Sequence, residues 1–263
     1  MRHPSDMVAA RLAGRPISVL TCYDFWSAGI LAASTIDALL VGDSAAMVMH
    51  GHETTIPADL DMMCLHVSAV RRGAPDKLVI ADMPFLAHRR SLPDTMAAVE
   101  RLMRAGGQAV KLERADGNCE AIRHIVDSGV DVMGHLGLTP QSLHRLGGYR
   151  VQGRDDQVAA KLADDALRLQ DAGCFALVLE LVPSELARSI TASLSIPTIG
   201  IGAGPHTSGQ VLVLQDMLGM QPEFRPKFLR TYLDGFELLR DACDRFAADV
   251  KEGRYPADEE SYA

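Results

Sequence analysis

The sequence predicts an α/β fold, a single TIM (β/α)8 barrel, on three observations. Short apolar runs that end in a polar residue alternate with helical segments, the pattern of a parallel sheet with crossover helices. Seven such runs are plain, and GQVLVLQD (209–216) is a weaker eighth that could instead be a helical turn. Eight β/α units in 263 residues match the usual size of such a barrel. A doubly wound open sheet is the alternative that the same alternation allows. No Pro/Ser-rich linker, low-complexity tract or composition break divides the chain. Residues 1–263 are therefore read as one barrel domain with a C-terminal helix and a short polar tail.

The seven plain runs, in order, are ISVLTCYD (17–24), DALLVGD (37–43), KLVIAD (77–82), AVKLE (109–113), VDVMGH (130–135), ALVLE (176–180) and IPTIGIGAG (196–204). Gly73, Gly106, Gly129 and Gly173 stand just ahead of four of them, where helix C-caps are expected. Before those glycines the spacing is helical. Leu60, Met63, Val67 and Val70 share one face, as do Val158, Leu162 and Leu169. SLPD (91–94) predicts a helix start, with Ser91 as cap, Pro93 in the first turn and Asp94 three residues beyond the cap. LDGFELLRDACDRFAADVKEG reads as a C-terminal amphipathic helix, and RYPADEESYA as the polar tail.

Composition excludes several function classes. The chain is 48% apolar and 23% charged, as expected of a soluble globular protein. A net charge of -8 gives no basic surface for nucleic acid. No apolar run reaches the length of a membrane span, and the N-terminal stretch lacks the apolar core of a signal peptide. The 5 cysteines are odd in number, widely spaced and without a CxxC pair, as expected of reduced thiols in the cytoplasm.

The ends of the runs carry the chemistry. Asp24, Asp43, Asp82, Glu113, His135 and Glu180 all sit at C-terminal ends of strands, the active face of a barrel. Alternation places Lys111 and Glu113 on one face of their strand and Val110 and Leu112 on the other. The same parity groups Asp43 with Val41, Asp82 with Ile80 and Glu180 with Val178. Carboxylates converging on one mouth repel each other unless a cation stands between them, and oxygen donors without soft ligands suit Mg²⁺. Each residue also has a plainer role open to it. Asp43 and Ser44 could cap the next helix, Glu180 could pair at the surface, and His135 could be a satisfied core histidine. The HGH at 50–52 lacks a third ligand, and GIGAG (200–204) lacks the GxGxxG spacing of a dinucleotide site. No GxSxG, HExxH or P-loop is present. The pattern alone supports a metal-assisted enzyme acting on a small anionic substrate.

Ten stretches, in order, go further: TCYD (21–24), LLVGDS (39–44), AVRRGAP (69–75), ADMPF (81–85), AVKLE (109–113), GHLGLTPQS (134–142), GGYRVQGR (147–154), LVLELVP (177–183), IPTIGIGAG (196–204) and SGQVLVLQDMLG (208–219). Together they resemble the ketopantoate hydroxymethyltransferase family of the phosphoenolpyruvate/pyruvate superfamily. The resemblance implies a TIM barrel, often in a decameric homo-oligomer, that adds a one-carbon unit from 5,10-methylenetetrahydrofolate to 3-methyl-2-oxobutanoate. Carried over by motif, Asp43, Asp82 and Glu113 match the magnesium ligands. Asp43, Ser44, Asp82 and Lys111 match positions at the 2-oxo acid, His135 matches a histidine near it, and Glu180 matches the proposed general base.

The chain departs from the family pattern at four places. Ala45-Ala46 replace Leu-Gly, Arg114-Ala115 replace Gly-Gly, PHTS (205–208) lacks acidic residues, and Glu260 stands where a terminal histidine is usual. Two orientations of Arg114 follow. Turned outward, as strand alternation favours, it pairs at the surface. Turned inward, it clamps a second carboxylate, and the substrate is a dicarboxylic or larger 2-oxo acid. Competing functions are a paralogue acting on another 2-oxo acid, a lyase or hydrolase of the same superfamily, and a non-enzymatic interaction protein. The last is disfavoured because unused buried charge is costly.

Overall fold

Eight parallel strands close a barrel in chain order in the computed structural model, which describes residues 1–262. They are β1 (Ile17–Thr21), β2 (Ala38–Val41), β3 (Leu78–Asp82), β4 (Ala109–Glu113), β5 (Asp131–Gly137), β6 (Ala176–Glu180), β7 (Thr198–Ile201) and β8 (Gly209–Leu212). Helix α1 (Pro4–Leu12) precedes the barrel and α2 (Phe25–Ala32) follows β1. The short α3 (Ala45–Val48) and then α4 (Leu60–Gly73) follow β2. Next come α5 (Leu92–Arg104) after β3 and α6 (Cys119–Asp127) after β4. After β5 the chain forms a 3-10 turn (Pro140–Ser142), α7 (Leu143–Leu146) and α8 (Asp156–Asp171), and α9 (Ser184–Ser193) follows β6. Only residues 202–208 separate β7 from β8, too few for a crossover helix. These elements lie in one compact unit, Met1–Leu212; a second, Val213–Ala263, holds α10 (Leu214–Met217) and α11 (Gly235–Lys251). Both readings of the eighth run are thus realised, as a strand at Gly209–Leu212 and a helical turn at Leu214–Met217.

Alternation sorts the strand side chains. Ile17, Val19, Ala38, Leu40, Leu78, Ile80, Ala109, Met133, Val178, Ile199 and Val211 form one buried cluster with Met7 and Ala10 of α1. These are the inward positions, and α1 closes the N-terminal end of the barrel with hydrocarbon. The buried polar inward positions therefore gather at the C-terminal end, while Asp131, inward in parity at the start of β5, is exposed at the other end.

The helix signals hold with two corrections. Ser91 caps α5 by accepting from the Asp94 amide, and Gly106, Gly129 and Gly173 take the left-handed conformation just past their helices. Gly73 does not: it is the last residue of α4, and a Cβ there would lie 2.4 Å from the Phe25 carbonyl. Close packing of α4 on α2, rather than a turn, requires it. On α8, Leu162 and Leu169 are buried but Val158, in the first turn, is 42% exposed.

Candidate active site

The register of the strands builds the site. Asp82 on β3 is paired with Lys111 on β4, Glu113 with His135 on β5, and Gly137 with Glu180 on β6. Lys111, Glu113, Asp82, His135 and Glu180 share the inward parity of Ala109, Ile80, Met133 and Val178. Asp43 arrives differently. Its strand parity follows Val41, not the inward Leu40, so alternation would aim it outward. It reaches the mouth because β2 ends at Val41 and the chain turns at Gly42. A Cβ at Gly42 would lie 2.7 Å from Ser44 Oγ and would press that hydroxyl away from its Tyr23 partner. Asp24 is not part of the site: it caps α2, accepting from the Ser27 amide at 2.9 Å.

Inside the mouth, Lys111 Nζ lies 2.9 Å from Asp82 Oδ1, with both side chains buried. Asp82 Oδ2 accepts from the Asp43 amide at 3.0 Å. His135 Nδ1 lies 3.5 Å from Glu113 Oε1 and 3.3 Å from Lys111 Nζ, and its Nε2 lies 3.3 Å from Glu180 Oε2. Glu180 is the most open of these carboxylates, with a side chain 19% exposed. Ser44 Oγ is 2.8 Å from the hydroxyl of the buried Tyr23.

The charges explain one another. Burial disfavours charge on Lys111, but Asp82, Glu113 and Asp43 outweigh it and raise its pKa. Burial raises the pKa of Asp43, and repulsion from Asp82 and Glu113 adds to that despite Lys111 and Gln141. Burial and Lys111 oppose charge on His135, but Glu113 and Glu180 outweigh them and push its pKa up to about 9. Four carboxylates, Asp43, Asp82, Glu113 and Glu180, thus share two cations, Lys111 and His135, an excess of negative charge when all are ionised.

Asp82 Oδ1 and Glu113 Oε1 are buried with no hydrogen-bond partner of good geometry, although both stand at ion-pair distance from a cation. Among the described residues, no three His, Cys, Asp or Glu side chains form a ready-made metal cage. Orphaned hard oxygen donors with surplus negative charge nevertheless fit Mg²⁺, which needs only one or two carboxylates and keeps waters for its other positions.

Two residues that sequence reasoning left without a role belong here. Gln141 donates from Nε2 to Asp43 Oδ2 and to the Met83 carbonyl, each at 2.9 Å, and its amide donates to Glu113 Oε2 at 3.2 Å. Asn118 Nδ2, fully buried, donates to the carbonyls of Glu113 and Arg114 and clamps the turn after β4. Gln141 lies within the recognisable GHLGLTPQS, and that membership is the only sequence signal either residue carries.

The family profile of ketopantoate hydroxymethyltransferase matches residues 3–258. A 3-methyl-2-oxobutanoate hydroxymethyltransferase of Coxiella burnetii (strain CbuG_Q212) is 58% identical over 252 residues, 95% of each chain. One of Bdellovibrio bacteriovorus is 57% identical over 247 residues, 94% of each chain. The chain belongs to the ketopantoate hydroxymethyltransferase family. It is an enzyme, a hydroxymethyltransferase. In fold it is similar to a solved 2,3-dimethylmalate lyase of the PEP mutase/isocitrate lyase superfamily, with a TM-score of 0.63, 18% identity, and coverage of 100% of this chain and 92% of that one.

The hydroxymethyltransferase's departure at Arg114 has a definite geometry. Arg114 holds φ at +71°, and Leu181, which follows Glu180, holds +46°. A left-handed conformation costs a bulky residue roughly 1–2 kcal/mol, and here it falls directly after two of the mouth carboxylates, where strain is often stored. Arg114 faces outward, lining a cavity with Leu136 and α8 on the far side of the strand from Lys111. The inward orientation does not occur: Arg114 keeps the outward side that strand alternation favours, with Val110 and Leu112. The surface pairing expected of the outward one is also missing among the described residues.

Proposed function

We propose that the chain transfers a hydroxymethyl unit from 5,10-methylenetetrahydrofolate to 3-methyl-2-oxobutanoate, giving 2-dehydropantoate in pantothenate and coenzyme A biosynthesis. The observation that carries this reading is Glu180, a partly open carboxylate 3.3 Å from the buried His135 at the rim of a lysine–carboxylate cluster. The acceptor is the one in the names of relatives 57–58% identical over nearly the whole chain.

Position supports the following roles. Glu180 takes the proton from C3 of the 2-oxo acid, and His135 orients it. Lys111 places fixed positive charge where negative charge develops on the keto oxygen. Asp43, Ser44 and Asp82 line the seat of the substrate, with Tyr23 holding the Ser44 hydroxyl. C3 then forms a bond to the one-carbon unit; water supplies the hydroxyl oxygen and tetrahydrofolate leaves. Asp43, Asp82 and Glu113 would hold Mg²⁺, which when bound supplies Lewis-acid polarisation of the 2-oxo acid. A cytoplasmic location and a homo-oligomeric assembly belong to the same reading. Among the described residues no helix is long and apolar enough to cross a membrane, and all 5 cysteines are free.

Deuterium exchange at C3 of 3-methyl-2-oxobutanoate, followed without folate, tests the reading. Glu180→Gln is expected to slow exchange about 10²–10⁴-fold, the usual loss on removing a general base. An unchanged exchange rate would give the proton to another residue.

A further inference from the structure

Outside the barrel, between the outer side of β5, α7 and the first half of α8, lies a cavity of about 320 Å³. None of the mouth residues Asp43, Asp82, Lys111, Glu113, His135 or Glu180 lines it. Its walls carry Arg114, Arg145 and Lys161 against Asp116 and Asp165. The two carboxylates are already matched. Lys161 contacts Asp116 and Asp165 at 2.9 Å each, and Arg168 contacts them at 2.8 Å and 2.6 Å. Arg114 and Arg145 have no acidic partner among the described residues, so the cavity has surplus positive charge.

The orientation of Arg114 is built, not incidental. Alternation puts its side chain on the cavity side, its φ is +71°, and three hydrogen bonds hold the turn. The Arg114 amide donates to the His135 carbonyl at 2.9 Å, and Asn118 Nδ2 donates to the Glu113 and Arg114 carbonyls at 2.7 Å and 3.0 Å. A strained conformation persists where its surroundings over-determine it. Thr139, Ser142 and Gln157 add neutral hydrogen-bonding groups to the same wall. Ser142 directly follows Gln141, which grips Asp43 and Glu113, so an occupant of the cavity would press on the segment that positions the mouth.

We propose that this cavity is an accessory anion site that takes a carboxylate- or phosphate-bearing small molecule, with Arg114 as the recognising cation. A guanidinium without a protein partner offers two parallel N–H donors to such a group. Arg145, more exposed, supplies a second charge, and the neutralised Asp116 and Asp165 do not repel the ligand. The source of the anion is a free metabolite or the glutamate end of the folate co-substrate. The second source alone rests on the transferase reading.

The test is calorimetric titration of the full chain with inorganic phosphate, with glutarate, and with tetrahydrofolate carrying one or four glutamates. The wild type is expected to bind at least one probe, with Arg114→Gly and Arg145→Gln each weakening that binding about tenfold or more and Arg114→Lys recovering part of it. Arg114→Gly suits the left-handed backbone; its circular dichroism and melting curve confirm folding. Binding of phosphate or glutarate that depends on Arg114 supports a free-anion site. A preference for four glutamates over one, abolished in Arg114→Gly, supports the co-substrate source. Failure of every probe to bind the wild type, or equal binding by wild type and both variants, overturns the proposal. Either failure leaves the transferase reading standing, because the C3 exchange assay tests that separately.

Discussion

Lys111 and Asp82 stand side by side in register on β4 and β3, with Nζ 2.9 Å from Oδ1 and side chains only 6% and 3% exposed. Losing one partner of a buried pair typically costs about 3–5 kcal/mol. Here the two losses are unequal. Lys111→Met leaves Asp43, Asp82 and Glu113 facing one another with only His135, beside Glu113, as a cation, and it is expected to lower stability by about 3 kcal/mol or more. Asp82→Asn leaves Lys111 with two other carboxylates and relieves repulsion on Asp43, so it should cost much less while abolishing Mg²⁺-dependent turnover. Chemical denaturation of both variants ranks them; equal losses would mean that the carboxylates do not repel.

In the proposed mechanism Gln141 is a positioning residue, since it touches Asp43 and Glu113. Outer partners of metal-holding side chains typically cost 10–100-fold in metal affinity when lost. Gln141→Ala is expected to raise the Mg²⁺ concentration for half-maximal activity about 10–100-fold, with Gln141→Glu failing to rescue because a carboxylate cannot donate to Asp43. An activity loss with an unchanged Mg²⁺ dependence would restrict Gln141 to holding the loop.

Most of this fold was legible because strand period, glycine stops and caps are local signals. The mouth residues on β3 to β6 were legible too, because a strand's parity carries through to its last residue, as Lys111 and Glu113 show. Asp43 escaped the parity rule because its strand stops two residues earlier at Val41. Gln141 and Asn118 escaped it because they act from turns, where no period says which way a side chain points. Arg114 falls on the outward parity of Val110 and Leu112, so its side of the strand was legible from alternation, whereas its left-handed φ was not. Arginine gives no local hint of that conformation, and only the family's usual glycine does.

His88, 6% exposed, is held neutral: burial first, then Arg89, lower its pKa to about 4 from the usual 6.5. Between those two values the unfolded chain binds a proton that the native state does not. Stability therefore falls as pH falls from about 6.5 to 4, by up to about 3 kcal/mol from this group. His88→Gln is expected to flatten that part of the stability curve relative to wild type. Denaturant midpoints measured across the window would show parallel curves if His88 were protonated in the native state.

Arg114 and Leu86 both hold a left-handed backbone, at φ +71° and +58°. Two effects compete when either becomes glycine. Relief of the left-handed clash contributes roughly 1–2 kcal/mol, while the added freedom of the unfolded chain takes back about 0.5–1 kcal/mol. Relief wins, so Arg114→Gly and Leu86→Gly are each expected to gain about 0.5–1 kcal/mol, read as a higher urea midpoint at unchanged slope. Leu86 is 47% exposed, so little apolar burial offsets its gain. A stabilised Arg114→Gly would show that the arginine is kept at a cost to the fold, as expected of a residue retained for binding. A loss of stability in Arg114→Gly but not in Leu86→Gly would instead mean that the Arg114 side chain holds the β4 turn together by its own contacts.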